Sequence, residues 1–332
     1  MHLKNSAIYR AALPDSVTLA ESLEERLPYR PLTDTEIVRL SFVPNPRTGE
    51  LVTAFENGYS MTLRVDEKVI PAKIRQARID EEIDAFEKRS GRFPEPEEKA
   101  GIREMVMGEL CKNALVDHHT VNAYYHPESE LLFVDTGSNK DADRVMRALV
   151  LACDTVKTQT IHINSLTKGL TAKLQDHIEN GSFDYRPFGQ LGIDDNVKMA
   201  HPTGGEGTER VTYQSVDVGS NREVLDQLRR GFEVEHLGLV YRSVYFRLTK
   251  DFKLKSISWD ILIELDDDAA EDDPAHAWRV NAMVGVSLLV EIVNELCALV
   301  DYELPALPGD EAEDSEKDGG EDDPGAPTEP AQ

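Results

Sequence analysis

The chain has 332 residues, of which 40% are hydrophobic and 30% charged, so it is long enough for two or three folded domains. Its three cysteines, Cys111, Cys153 and Cys297, are widely spaced, which argues against a disulfide framework or a zinc ribbon and indicates a reducing cytoplasm. The net charge of −26 does not exclude a nucleic-acid partner, because an electrostatic field depends on where the charges lie.

The start of the chain has the pattern of a strand, a helix and a hairpin. Residues 5–10 read as a strand, and the sequence Thr-Leu-Ala-Glu at residues 18–21 has the form of a capping box that begins a helix. Two apolar runs, residues 51–55 and 59–65, flank an Asn-Gly pair at residues 57–58. This pair is a strong hairpin signal, because both central residues of a tight hairpin turn need positive φ angles, which asparagine and glycine tolerate.

A charged helical hairpin follows. Pro71 can begin a helix, and helices are predicted over residues 72–90 and 96–116, with a break at Ser-Gly-Arg-Phe-Pro. Ten basic and ten acidic residues lie between Lys68 and Lys112, and the apolar positions are few. Such a thin apolar stripe predicts an arm that projects from the protein.

The rest of the chain continues in mixed order. A second hairpin is predicted over residues 121–135, followed by helices over residues 139–154, 166–178 and 221–230, with a strand at residues 211–216. The segments 234–241, 244–248 and 254–259 are rich in β-branched and aromatic residues and predict a meander. Hairpins in place of βαβ units predict an α+β fold with mixed hairpin-based sheets.

We divide the chain into four parts. A central domain takes residues 1–67 and 118–163, the arm takes residues 68–117, and a base domain takes residues 164–302. Residues 303–332 hold eleven acidic residues and one lysine and are predicted to be a disordered tail.

The most apolar stretch, residues 280–300, carries Asn281, Glu291, Asn294 and Glu295. That is too polar for a free membrane span, and Ser287 joins the last three of these residues in one polar stripe on a helix. We therefore expect a core helix and no membrane partner.

Patterns of catalytic chemistry are weak. Asp117, His118 and His119, with His126 nearby, are metal-ligand types, but adjacent strand residues point to opposite faces. The carboxylates of the 264–273 run lack the calcium-loop spacing; they include Asp266, Asp267, Asp268, Glu271, Asp272 and Asp273. The sequence thus predicts a non-enzymatic protein with no cofactor and no metal.

Basic residues are the remaining candidates for a binding site. Residues 242–255 hold five bases and one acid, interleaved with aromatic side chains, and further bases lie along the predicted arm. Phosphate contacts need only flexible cations at backbone spacing and carry no sequence information. The candidate DNA-binding residues are Arg75, Arg78, Arg89, Arg92, Lys99, Arg210, Gln214, Arg242, Arg247, Lys250, Lys253 and Lys255.

A series of segments resembles the RdgC family of bacterial recombination-associated proteins. They are Lys4-Asn5 followed by Tyr9-Arg10, Asn57-Gly58 followed by residues 67–71, residues 132–135 followed by 138–140, and residues 236–248 followed by 251–257. The order and spacing hold from about residue 2 to residue 300.

The resemblance implies a horseshoe-shaped subunit and a head-to-head homodimer that closes into a ring around duplex DNA. It implies non-specific coating of the nucleoid and restraint of RecA-driven recombination. In the family, a phenylalanine of the arm takes part in the dimer contact, and Leu115 occupies the corresponding position here. The family's Lys-Gln pair falls on Tyr213-Gln214, and the lysine-rich arm tip keeps only Arg92 and Lys99, so both cationic positions are weakened here.

Two other functions stay open from the sequence. The first is a metal-dependent DNA exonuclease, a name that some family members carry, although the residues above give no support for it. The second is an acidic decoy that mimics DNA and binds a DNA-processing protein, which fits the net charge of −26.

Overall fold

A computed structural model describes residues 3–153, 156–163, 165–181, 185–203, 207–260 and 273–307. Its strands are β1 (Asn5–Ala12), β2 (Val38–Val43), β3 (Val52–Phe55), β4 (Gly58–Val69), β5 (Leu115–His126), β6 (Leu131–Val134), β7 (Lys157–Thr160), β8 (Gly192–Pro202), β9 (Thr208–Tyr213), β10 (Glu233–Tyr241), β11 (Val244–Thr249) and β12 (Leu254–Trp259). Its helices are α1 (Ser16–Arg26), α2 (Ala72–Ser90), α3 (Pro96–Asn113), α4 (Asn139–Ala152), α5 (Leu166–Asn180), α6 (Arg222–Arg229) and α7 (Pro274–Leu299). These elements confirm the predicted α+β class.

All twelve strands join one antiparallel sheet. The order is β2-β4-β5-β6-β1-β12-β11-β10-β8-β9, with β3 also on β4 and β7 also on β1. Strand β1 connects the two halves, because Asn5 and Ser6 pair with β12 while the following residues pair with β6 and β7. The meander predicted for β10–β12 is confirmed, with each strand beside its neighbour in the chain.

Two hydrophobic clusters pack against this sheet. One lies between the β1–β6 half and helices α1 and α4, and includes Leu19, Leu23 and Leu149. The other lies between the β8–β12 half and helices α5, α6 and α7, and includes Leu237 and Leu248. Leu304 and Leu307 also belong to the packed chain, since Leu307 is 1% exposed. The fold therefore extends beyond residue 302, where the predicted tail was placed.

The predicted start of α1 is wrong. Asp15, three residues before Thr18, is the N-cap residue, and its Oδ1 accepts hydrogen bonds from the backbone N–H groups of Val17 (3.0 Å) and Thr18 (3.1 Å). A short carboxylate at this position satisfies N–H groups that have no partner within the helix. Thr18 lies inside the first turn, where its hydroxyl donates to Asp15.

The predicted hairpin at residues 51–65 is confirmed, but its turn is different. Phe55 pairs with Gly58, so the two loop residues are Glu56 and Asn57, and neither Asn57 nor Gly58 has a positive φ. Gly58 is required by packing, because a Cβ there would lie 2.2 Å from the backbone oxygen of Tyr125. The Asn57 Nδ2 atom donates to Ser287 Oγ on α7 (2.8 Å), which ties this turn to the other half of the protein.

Three strands were not predicted: β2, β7 and β8. In β8 the alternation of apolar and polar residues is interrupted, since its register with β10 shifts between Leu237 and Leu239. The helix predicted to continue to residue 116 ends at Asn113. The chain then enters β5 at Leu115, which pairs with Val69, and β5 continues to pair with β4 as far as Tyr59.

Helix α7 is the element predicted over residues 280–300. By length and composition alone it could cross a membrane, but eleven of its 26 residues are buried against the rest of the protein. Its polar stripe makes specific contacts: Ser287 with Asn57, Glu291 with Tyr241 and Glu295 with Gln190. The prediction of a core helix is confirmed.

The helical hairpin predicted over residues 72–116 forms α2 and α3. The 19 residues of α2 make a helix about 28 Å long. Its single buried residue is Ile79, and α3 buries only Val106 and Cys111. The two helices pack on each other and make no comparable contact with another helix or strand of the described chain. We call α2 and α3 the arm.

Candidate nucleic-acid interface

Six basic side chains lie on the side of the β8–β12 sheet that faces away from helices α5 and α7. The strands alternate: Leu237, Leu248 and Leu254 point into the hydrophobic cluster, while their neighbours point outward. We call the outward surface the cationic face and define it by Lys198, Arg210, Arg247, Lys250, Lys253 and Lys255.

Strand register brings these residues together. Arg247 of β11 lies directly opposite Lys255 of β12, and Lys255 lies opposite Asn5 of β1. On the other side, Lys198 of β8 lies opposite His236 of β10. Residues that are distant in sequence therefore form one continuous surface across neighbouring strands.

A β-bulge in β12 keeps Lys255 on this surface. The register shifts between the Tyr245 and Arg247 pairs, and Ser256 is the extra residue, with a φ of 51°. Because of this extra residue, both Leu254 and Ile257 point inward although they are three residues apart. Lys255 and Ser256 consequently both face outward.

Glu235 holds three of the bases in place. Its carboxylate lies 3.3 Å from the Nζ of Lys250, 3.4 Å from the Nζ of Lys198 and 3.6 Å from the Nε of Arg210. Burial opposes ionisation of Glu235, but the hydrogen bonds from Lys250 and Lys198 outweigh it and lower its pKa. One negative charge thus sits among three positive ones, which leaves a local excess of positive charge.

The other bases are less compensated. Arg247 and Lys255 have no carboxylate within salt-bridge distance in the described part of the chain. The Nζ of Lys253 donates to Asn139 Oδ1 at the start of α4. Burial lowers the pKa of Lys253, with an opposing effect from the charge of Asp251 and a smaller supporting one from Lys255. Arg247 and Lys255 are therefore the bases of this face that are best placed to contact an anion.

His236 experiences the same field. Burial lowers the pKa of its imidazole, and the positive charge of Lys198 lowers it further. His236 is therefore mostly neutral near pH 7, and a bound phosphate would favour its protonated form. Acidic residues bound the surface near Arg247, where Asp194, Asp195 and Asp260 line a shallow depression of about 340 Å³.

Comparison with known proteins identifies the family. A sequence model of a family described as "Putative exonuclease, RdgC" matches residues 1–303. The chain belongs to the RdgC family. It is 24% identical to the "Recombination-associated protein RdgC" of Psychromonas ingrahamii, over 82% of this chain and 89% of that protein. The proteins of the same name from Shewanella loihica (24% identity, 89% and 96% coverage) and Bordetella pertussis (23%, 89% and 98%) are similar to it over nearly their full lengths.

In this RdgC-family chain, two of the five predicted arm cations are already paired. Arg78 lies 2.6 Å from Glu81, and Arg92 makes a two-pronged contact with Glu98 (2.8 and 2.7 Å). The Nζ of Lys99 lies 4.4 Å from the centre of the Phe93 ring. Arg75 and Arg89 are exposed and without a carboxylate partner among the described residues.

Of the two remaining predicted residues, Arg242 lies away from the cationic face. Arg242 occupies the β10–β11 turn, at the opposite end of β11 from Lys250, and lies 2.8 Å from Glu291 of α7. It therefore helps to attach that turn to the core helix. Gln214 is exposed just beyond the end of β9, with no side-chain hydrogen bond to the described residues.

Leu115, which the RdgC resemblance assigns to a dimer contact, is 81% exposed at the base of the arm. Its neighbours Val116 and Val69 are 47% and 52% exposed. Large exposed apolar side chains that lie together mark a surface suited to a protein contact.

The predicted metal candidates do not converge. His118 and His119 occupy successive positions of β5, and His119 lies 3.2 Å from Asp141. His126 lies 2.9 Å from Ser129, and burial lowers its pKa. Among the described residues, no group of three or more His, Cys, Asp or Glu side chains could hold a metal ion. Of the acidic run at 264–273, only Asp273 is described, and it caps α7; Asp266, Asp267, Asp268, Glu271 and Asp272 lie outside the described residues.

Sequence reasoning missed Lys198 and His236 as members of the site. Lys198 was missed because β8 was not predicted, although Val197 and Met199 on either side of it are both buried. The apolar–lysine–apolar pattern at residues 197–199 was the sequence signal that could have indicated a strand there. His236 was assigned to a strand, but its position beside Lys198 depends on the pairing of β8 with β10.

Proposed function

We propose that this protein binds duplex DNA without sequence preference through the cationic face. The observation that carries the proposal is the pair Arg247 and Lys255, two cations held side by side on adjacent strands with no carboxylate partner among the described residues. Placing like charges directly opposite one another destabilises a sheet. An anionic ligand that contacts both would relieve this repulsion.

The geometry favours contacts to the DNA backbone. The face spans β9, β8, β10, β11 and β12, which at about 4.8 Å between strands is about 19 Å across. Duplex DNA carries one charge per roughly 1.7 Å of its axis, so such a face can reach several phosphates at once. Lysine and arginine contacts to phosphates fix position and carry no sequence information.

In this proposal the protein is a cytoplasmic, nucleoid-associated homodimer without enzymatic activity. Horseshoe-shaped subunits meet through contacts that include Leu115 and close into a ring around DNA. The coated duplex is then less accessible to RecA, so recombination is restrained. Support comes from membership of the RdgC family, from relatives named recombination-associated, and from the exposed apolar residues at the base of the arm.

Binding and cleavage can be tested on the same DNA. Two end-labelled duplexes of unrelated sequence are titrated with protein at about 50 mM salt and then incubated with Mg²⁺ or Mn²⁺. The proposal predicts equal affinities for both duplexes and strands of unchanged length. Metal-dependent shortening would favour the exonuclease, and failure to bind either duplex would favour the acidic decoy.

The effect on recombination has a separate test. Duplex DNA is coated with the protein before a RecA filament is added, and strand exchange is followed over time. Exchange should slow as the protein concentration rises, and alanine at both Arg247 and Lys255 should restore it. Unchanged exchange on fully coated duplex would refute the restraint of RecA.

A further inference from the structure

A groove runs along the outer edge of β2, in the half of the protein that does not carry the cationic face. It has a volume of about 630 Å³, which is within the range of natural ligand sites. Its walls come from three places: the end of α1 with the chain that follows it, β2 itself, and α4. The residues used below are Leu27, Arg30, Val38, Arg39, Leu40, Arg147 and Leu151.

The backbone of β2 has unpaired groups that face this groove. Phe42 donates its N–H to the carbonyl of Leu27, away from β4, while the carbonyl of Ile37 accepts from Lys68 of β4. Because the direction alternates along an antiparallel strand, the N–H and C=O groups of Val38 and Leu40 also point away from β4. No described residue forms a hydrogen bond with them. Two donors and two acceptors are thus available at a sheet edge.

Positive charge predominates at this edge, because four arginines and two glutamates, Glu25 and Glu36, line the groove. Arg39 is only 7% exposed; its guanidinium contacts Glu36, but its buried Nε has no hydrogen-bond partner among the described residues. Arg30 and Arg147 are exposed on the two sides of the groove. A buried guanidinium N–H without a partner is unfavourable, so an acceptor that reached it would remove this cost.

Apolar side chains lie among these arginines. Leu151 on α4 is 54% exposed and Val38 on β2 is 38% exposed, and Leu27 and Leu40 complete the lining. A small anion such as phosphate would leave this apolar surface and the backbone groups of β2 unused. A ligand that matches all three features has an extended backbone, acidic side chains and apolar side chains.

We propose that the groove binds an extended segment of a partner protein, in which acidic and apolar side chains alternate, as an added strand on β2. Its backbone pairs with Val38 and Leu40, its carboxylates meet Arg30 and Arg39 on one face of the added strand, and its apolar side chains cover Leu151 of α4 on the other face. Strand addition of this kind takes affinity from the main chain and specificity from alternate side chains. This site does not depend on DNA binding, because the cationic face lies on other strands.

The test uses a fluorescent peptide of about eight residues in which glutamate and leucine alternate, and the full-length protein. Binding is followed by anisotropy. Two matched peptides accompany it: one with lysine in place of glutamate, and one with N-methyl groups on the backbone nitrogens of alternate residues. We expect lysine in place of glutamate to weaken binding roughly tenfold or more. N-methyl groups can be placed on either of the two alternating sets of backbone nitrogens. We expect one of these two registers to abolish binding, because it removes the N–H groups that donate to the carbonyls of β2.

Protein variants locate the peptide. Arg30→Glu should weaken binding roughly tenfold, whereas Arg103→Glu, on the exposed surface of the arm, should not change it. Val38→Pro removes an outward N–H without removing a bond to β4, so it should weaken binding while the melting temperature stays near that of the wild type.

Three outcomes would overturn the proposal: no binding of the Glu-Leu peptide, equal binding of both N-methylated registers, or equal effects of Arg30→Glu and Arg103→Glu. A peptide of this chain's own residues 308–332, tested in parallel, addresses a different occupant. If that peptide binds the groove more tightly than the Glu-Leu peptide and N-methylation does not affect it, the site is an anion site for the chain's own acidic end. The strand-addition proposal would then be wrong.

Discussion

Replacing Arg247 and Lys255 together by alanine separates DNA binding from stability. These two side chains face each other on β11 and β12, and no described carboxylate lies within salt-bridge distance of either. If they contact phosphates, the double variant loses two contacts. If they are only surface residues, it loses a repulsive pair and nothing else.

The size of the effect follows from counterion release. Each neutralised phosphate contributes about 0.9 to the slope of log affinity against log salt, so two lost contacts lower the slope by about 1.8. Relative to 1 M salt, this corresponds to about 60-fold weaker binding at 0.1 M salt. Stability should change in the other direction, because like charges directly opposite each other destabilise a sheet by about 0.2–1 kcal/mol.

The assay is fluorescence anisotropy of a labelled duplex at four salt concentrations, with thermal unfolding of the same samples. The matched control is Arg222→Ala with Lys168→Ala, which removes the same two residue types from exposed positions on α6 and α5, on the other side of the sheet. The control should leave the salt slope unchanged. An unchanged slope in the Arg247 and Lys255 variant would refute the assignment of these residues to the interface.

Three further predictions concern other parts of the molecule. Leu115→Ser should weaken dimerisation by about 3 kcal/mol, because one buried leucine is lost from each subunit; a sedimentation profile that still shows the full dimer at micromolar protein would contradict this contact. A chain that ends at Leu307 should bind DNA more tightly, most of all at low salt, because the acidic residues beyond it compete with phosphates for the same bases. Equal affinities with and without that segment at both salts would leave it no such role. Duplex affinity should rise as the pH falls from about 8 to about 6, because phosphate raises the lowered pKa of His236 and binding takes up a proton. His236→Gln should remove that rise, and an equal rise in this variant would assign the proton to another group. The stability of the free protein should depend on pH in the opposite direction from its DNA affinity. Folding favours the neutral imidazole of His236, so the free energy of unfolding decreases as the pH falls below the unfolded pKa of about 6.5.

The sequence predicted elements whose local pattern agrees with their tertiary environment. The meander β10–β12 is rich in β-branched and aromatic residues, and the two helices of the arm are separated by a clear break at residues 90–94; all were predicted within a few residues. Strand β8 was missed because a bulge interrupts its alternation, and bulges are set by pairing with the neighbouring strand. The turn at Glu56 and Asn57 differs from the predicted one because Gly58 is needed for close packing on Tyr125.

The site could be predicted only in part for a related reason. A run of bases at residues 242–255 was visible in the sequence, and four of its five members lie on the cationic face. The fifth, Arg242, is paired with Glu291, which is 49 residues away in the chain. Likewise, Glu235 contacts bases of β8, β9 and the β11–β12 turn, and only strand order brings Lys198 and Arg210 to it. Local sequence indicates which residues are charged, whereas pairing decides which charges are available.

Lysine acetylation with and without DNA tests the central claim most directly. The protein is treated briefly with an acetylating reagent, alone and saturated with duplex at low salt, and the modification of each lysine is measured by mass spectrometry. The account predicts that DNA protects Lys198, Lys250 and Lys255, while Lys168 and Lys173 on α5 react equally in both samples. Protection of the α5 lysines with no change on the cationic face would place the DNA elsewhere and contradict the account.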